Sequence, residues 1–65
     1  MTTAKLQKIV NTTIDVMNGT KNRDVMLSAY WVAVGKIMAI AEMNDLDDEA
    51  FLEEMREAFM LWGVK

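Results

Sequence analysis

Cysteine and histidine are both absent from the sequence. Without cysteine the chain has no disulfide bonds, and without either residue it lacks the usual protein ligands of zinc. The same two residues supply many catalytic nucleophiles and general bases. The only serine, Ser28, has a single acid at helical spacing, Asp24, in a turn that we expect to be solvated. We therefore predict that the protein is not an enzyme and has no cofactor, no catalytic residue and no metal-binding residue.

A group of acids ahead of the third predicted helix invites comparison with a calcium site. An EF-hand loop that began at Asp45 would need glycine at its sixth position and glutamate at its twelfth. The sequence has Ala50 and Arg56 at these positions. These acids are better explained as loop and helix-capping residues.

Proline is absent as well, and the sequence has no long hydrophobic run free of charge. The longest segment without a charged residue, 25–35, has eleven residues, whereas a membrane-spanning helix needs about 20. A longer span would place Lys36 and Glu42 in the bilayer, where a charge near the centre costs roughly 3 kcal/mol. We therefore do not expect a membrane partner, and a membrane-associated small protein is the third of three hypotheses.

Apolar residues recur at helical spacing in three segments of the chain. The pattern predicts helices over about residues 2–18, 23–43 and 48–62, joined by short connections. Residues 1–65 are therefore predicted to form a single all-α domain, a three-helix unit with a long apolar central helix. No signal peptide is evident near the N-terminus, because the apolar run after Lys8 is only two residues long. We expect a cytoplasmic protein that is complete as a small gene product.

Residues typical of helix ends flank these segments. Gly19 suits a left-handed cap after the first helix, and Gly63 is placed to end the third. Asn22 and Asp47 suit the N-terminal caps of the second and third. Asn44 is placed to end the second helix.

The central helix has more apolar surface than two neighbouring helices require. Its apolar residues form two rows with alternating spacings of four and three, and together these rows cover more than half of the circumference. Hydrophobic burial and chain entropy nearly cancel in a chain of this size. We therefore predict a homodimer, and which row forms it stays open. The row assigned to the dimer interface consists of Met26, Tyr30, Ala33, Ile37 and Ile40, and the other consists of Leu27, Trp31, Val34, Met38 and Ala41.

Gly35 lies in the interior of the central helix, where glycine costs ~1 kcal/mol relative to alanine. Two interpretations stay open. Either another helix backbone approaches closely at Gly35, or the residue lies on a solvated strip and is tolerated. The second interpretation is slightly favoured.

Charge is distributed unevenly along the chain. Residues 1–36 have five basic and two acidic side chains, a net charge of +3, and residues 37–65 have eight acidic and two basic ones, a net charge of −6. An acidic third helix is poorly suited to nucleic acid, because phosphate contacts require lysine and arginine. A DNA- or RNA-binding regulator that uses the corner at Lys21 and Arg23 is nevertheless the second hypothesis.

The first hypothesis is a non-catalytic protein–protein interaction module. Small size, acidity and apolar content resemble, by analogy alone, the phage and mobile-element proteins that bind and block a bacterial host protein such as a transcription regulator. We expect an inhibitor or anti-activator whose apolar side chains enter a groove of the partner while its acids attract a basic surface. The predicted partner-binding residues are Trp31, Met38, Met43, Met60, Leu61, Glu53 and Glu57.

Overall fold

Three α-helices and two short connections account for residues 2–64, the part of the chain that the computed structural model describes. The helices are α1 (Thr2–Gly19), α2 (Arg23–Met43) and α3 (Glu49–Leu61). No strand is present among these residues. The predicted all-α, three-helix architecture is confirmed, and each helix boundary lies within one residue of its predicted position.

The connection between α1 and α2 is organised by side chains that bond to nearby backbone. The Asn22 Oδ1 atom accepts hydrogen bonds from the backbone N–H groups of Asp24, at 2.9 Å, and Val25, at 3.2 Å. These bonds satisfy two of the N–H groups that lack a partner within the helix, as predicted for this cap. Gly19 is the last residue of α1 and does not adopt the left-handed conformation that the sequence predicted. The turn is instead stabilised by Asn22 and Thr20, because the backbone N–H of Asn22 donates a hydrogen bond to the Thr20 hydroxyl oxygen at 3.1 Å.

The end of α2 is a Schellman motif. Asn44 is the C-terminal cap, as predicted, and the N–H of Leu46 donates to the carbonyl of Ala41 at 2.8 Å. Asp45 occupies the position where glycine is usual and has φ 55°, in the left-handed region. The backbone therefore turns sharply after α2 and brings α3 back along it.

At the start of α3 the predicted cap is shifted by one residue. Asp48 holds the cap position without a side-chain hydrogen bond, while the Asp47 carboxylate accepts the N–H of Glu49 at 2.9 Å. At the other end the helix stops before Gly63, as predicted, and Gly63 has φ 79°, the left-handed conformation common for a glycine after a helix.

The core lies along the line where the three helices meet. It is formed by side chains that are almost fully removed from solvent: Leu6, Val10, Met17, Met26, Tyr30, Ala33, Ile37, Ala41 and Met55. The bundle is elongated, with extents of 36 × 17 × 15 Å. Its accessible surface is 4769 Å², against about 4200 Å² expected for a folded monomer of this mass. The chain therefore has little interior for its many apolar residues, and a considerable share of them lie at the surface.

Two aromatic residues fix α3 on the other helices. The ring of Phe59 stacks on Tyr30 of α2 with a centroid distance of 4.7 Å. Trp62, just after α3, donates its indole N–H to the carbonyl oxygens of Met17, at 2.9 Å, and Thr20, at 3.2 Å. This shared hydrogen bond joins the end of α3 to the end of α1.

Candidate interaction surface

The row of α2 that was assigned to a homodimer lies mainly inside a single chain. Met26, Tyr30, Ala33 and Ile37 are buried against α1 and α3, and Ile40 is partly buried beside them. These side chains already have partners within the chain. A second copy could reach them only if the core opened, so this row is poorly placed for a dimer between folded chains.

Trp31, on the second row of α2, is the large aromatic residue that the fold leaves outside. Its side chain is 62% exposed, and its ring meets the edge of Tyr30 at a centroid distance of 5.1 Å. The contact with Tyr30 holds the indole against α2 while leaving most of it accessible. An exposed but supported tryptophan is well suited to bind a partner, because little side-chain freedom remains to be lost.

Trp31 borders a shallow depression of about 650 Å³ between α2 and the start of α3, which we call the Trp31 depression. Its apolar part is formed by α2 and by Leu52, and its rim is mainly acidic. The only basic side chain in its lining is Arg56, whose guanidinium lies 3.8 Å from the Glu53 carboxylate in an exposed ion pair. The lining residues are Tyr30, Trp31, Val34, Asp47, Asp48, Glu49, Leu52, Glu53 and Arg56.

The structure brings only some of the predicted partner-binding residues together. Trp31 and Glu53 line the same depression, and Met38 is half-exposed two helical turns from Trp31 along α2. Met43 is 84% exposed near the connection that precedes α3. Trp31 lies near the middle of α2 and Met43 at its end, about 18 Å apart along the helix.

The remaining predicted residues lie farther along α3. Met60 and Leu61 are both well exposed in its last turn, about 17 Å along the helix from its first residue. Glu57 is exposed one turn before them. The predicted set is therefore an extended surface rather than a single patch.

Gly35 faces open space. A Cβ atom placed there would meet no other atom within 4 Å, apart from its own helix. Within the chain, this agrees with the solvated-strip interpretation.

Lys21 and Arg23 are exposed at the α1–α2 connection.

A second concave surface, which the sequence analysis missed, runs between α1 and α2. Its apolar floor is formed by α1 and by the flank of α2 turned toward α1, whereas Trp31 lies on the flank turned toward α3. Two of its floor residues are exposed valines, Val16 on α1 and Val32, which lies outside the two apolar rows predicted for α2. These exposed valines were the available signal in the sequence. We call it the lysine-rimmed groove, and it is lined by Lys5, Lys8, Ile9, Thr12, Thr13, Val16, Ala29, Val32, Ala33 and Lys36.

Helix α2 is also long and apolar enough to span a membrane. It has 21 residues and a best-window mean hydropathy of 1.4, and 22% of that window is buried within the chain. Length and composition of this kind are shared by the central helices of many water-soluble bundles.

Among residues 2–64, no three acidic, histidine or cysteine side chains are grouped in a way that could hold a metal ion. Every buried side-chain nitrogen or oxygen in this part of the chain has a hydrogen-bond partner.

Comparisons with protein-family models, curated proteins and solved structures return no match to the chain.

Proposed function

We propose that the protein is a non-catalytic interaction module of phage or mobile-element type, an inhibitor or anti-activator that binds and blocks a bacterial host protein. The observation that carries this proposal is the exposure of Trp31 beside an acidic rim. Exposing a tryptophan to water forfeits hydrophobic stabilisation that burial would provide, and tryptophan is enriched among the residues that dominate binding energies.

The mechanism has two parts. The indole of Trp31 and the side chain of Met38 enter an apolar groove of the partner and lose their contact with water. The acids of α3, including Glu53 and Glu57, attract a basic partner surface before contact and raise the association rate. Blocking follows because the bound module covers the surface that the host protein uses for its own partner.

Comparative capture from a bacterial host lysate tests this proposal. Immobilised wild-type protein should retain a host protein that Trp31→Ser loses. Val25→Ser is the matched control, because Val25 is a half-exposed apolar residue of the same helix outside the Trp31 depression. Equal capture by wild type and Trp31→Ser would refute the role of Trp31.

The electrostatic part is tested separately with the captured partner. Raising the salt concentration should slow association, because exposed charges are screened beyond about 10 Å at 0.1 M ionic strength. Glu53→Lys/Glu57→Lys should have the same effect at low salt. An association rate that does not change with ionic strength would contradict steering while leaving the apolar contact intact.

Cytoplasmic location and self-association are further parts of the proposal. Because the row from Met26 to Ile37 is filled by the chain's own helices, a homodimer would use exposed residues of α2 such as Met38, so that a second copy and the host protein would compete for this surface. Sedimentation velocity should then show a dimer for the wild type and a monomer for Met38→Glu. A monomer at every concentration would remove the dimer without affecting the binding of a host protein.

The length and hydropathy of α2 favour one alternative, a membrane-associated protein. In that case the expressed protein would sediment with membranes and require detergent for extraction. The interaction module should instead remain in the supernatant as a single species. Fractionation after expression without a fusion partner distinguishes the two.

A further inference from the structure

The lysine-rimmed groove is a second concave surface with a chemistry opposite to that of the Trp31 depression. Its volume is about 470 Å³. The apolar floor is flanked by Lys5 and Lys8 on α1 and by Lys36 on α2, and none of its lining residues is acidic. The two concave surfaces therefore differ in the sign of their charge as well as in their location.

We propose that this groove binds an acidic amphipathic helix of a partner protein. The apolar face of such a helix would cover Val16 and Val32, which are half-exposed or more in the free chain. Its carboxylates would lie against the ammonium groups of the three lysines. Helix-in-groove binding of this kind uses apolar anchors at i, i+3 or i+4, and i+7.

The dimensions of the groove agree with such an occupant. Residues 5–16 of α1 span about 16 Å along the helix, which is three helical turns. Three turns of a bound helix present one full set of anchors to the floor. The lysines have long flexible stems, so their charged ends can follow the carboxylates of the bound helix.

Charge also argues against a second copy of this chain in the groove. Two grooves placed face to face in a parallel sense would bring six lysines together, and in an antiparallel sense neither set of lysines would meet an acid from the other lining. The acidic outer face of α3 from another copy has the right charge, but that head-to-tail contact joins different surfaces of the two copies. Heterologous contacts that do not close into a ring produce open chains of molecules.

Fluorescence anisotropy with two designed peptides tests the proposal. Both peptides are helical, have about 15 residues and place leucines at the anchor spacing, but one has glutamates and the other lysines at the remaining positions. The full-length protein should bind the glutamate peptide at least about tenfold more tightly than the lysine peptide at low salt. Equal binding of the two peptides, or binding of neither, would overturn the proposal.

Charge reversal locates the site. Lys8→Glu/Lys36→Glu should weaken glutamate-peptide binding by about tenfold or more, since two attractive contacts become repulsive. Both double variants are compared at 0.15 M salt, where the Debye length is about 8 Å. The matched control, Lys21→Glu/Arg23→Glu, changes the net charge equally but lies outside the groove, so it should change affinity by less than about twofold. Equal losses in the two double variants would show a general charge effect and overturn the assignment.

Further measurements test the apolar floor of the lysine-rimmed groove and two other possible occupants, a second copy of the chain and nucleic acid. Val32→Asp should abolish peptide binding while circular dichroism shows unchanged helix content, because Val32 is 58% exposed and does not belong to the core. Concentration-dependent chains of molecules that Val32→Asp disperses would overturn the proposal in favour of self-association. Retardation of nucleic acid that Lys8→Glu/Lys36→Glu abolishes, without peptide binding, would overturn it in favour of a nucleic-acid surface.

Discussion

Replacing Trp62 with phenylalanine removes the hydrogen bond that joins the end of α3 to the end of α1. The indole N–H reaches the carbonyl oxygens of Met17 and Thr20 at 2.9 and 3.2 Å, and the side chain is partly buried. Losing this donor costs about 1 kcal/mol, and the smaller ring costs about 1 kcal/mol more in lost apolar burial. A domain of this length has a total stability of roughly 3–10 kcal/mol, so the change is large.

Thermal and urea unfolding, followed by circular dichroism, measure the effect. The expected loss of about 2 kcal/mol corresponds to a decrease in Tm of roughly 8–16 °C for a domain of this size. Trp31→Phe is the control, because it makes the same chemical change on a largely exposed ring and should alter stability by less than about 0.5 kcal/mol. Similar small effects of the two substitutions would refute the conclusion that Trp62 fastens α3 to the rest of the fold.

Three further substitutions test other parts of the structure by urea unfolding. Gly35→Ala should stabilise the protein by about 0.5–1 kcal/mol, since the added Cβ meets open space and the helix gains intrinsic propensity; destabilisation would indicate a close contact with another molecule. Asp45→Gly should stabilise it by about 1 kcal/mol because glycine accepts φ 55° without steric cost, and no gain would argue against the left-handed turn. Ile37→Glu should unfold the single chain, because it buries a charge in the core; a folded variant that merely loses self-association would contradict the burial of Ile37.

The helices were predictable from the sequence because their apolar spacing and capping residues agree. Asn22 caps α2 through its side chain, and α3 ends before Gly63 as expected. Gly19 was misassigned because glycine after an amphipathic segment is only a statistical signal for a left-handed cap. At the end of α2 the left-handed position is taken by Asp45, a residue type that uses this conformation less readily than glycine.

The candidate surfaces were harder to predict, because the spacing of apolar residues along one helix does not identify which other helix packs against them. Two apolar rows on α2 indicated contacts on two sides, and both α1 and α3 contact this helix within one chain. The spacing alone does not distinguish a row covered by α1 and α3 from a row covered by a second copy, and the row around Tyr30, which we assign to a dimer from the sequence, is filled by the chain's own helices. The lysine-rimmed groove depends on the pairing of α1 with α2, which the spacing of residues such as Val16 and Val32 along each helix does not reveal.

Site-specific photocrosslinking in a bacterial host tests the central claim, that the protein acts by association through the surface around Trp31. A benzoylphenylalanine at position 31 retains an exposed aromatic ring, and the same group at position 21 reports on the basic corner. We predict a covalent adduct with one host protein from position 31 and none with that protein from position 21. Crosslinking from position 21 alone, or to nucleic acid, would contradict the account.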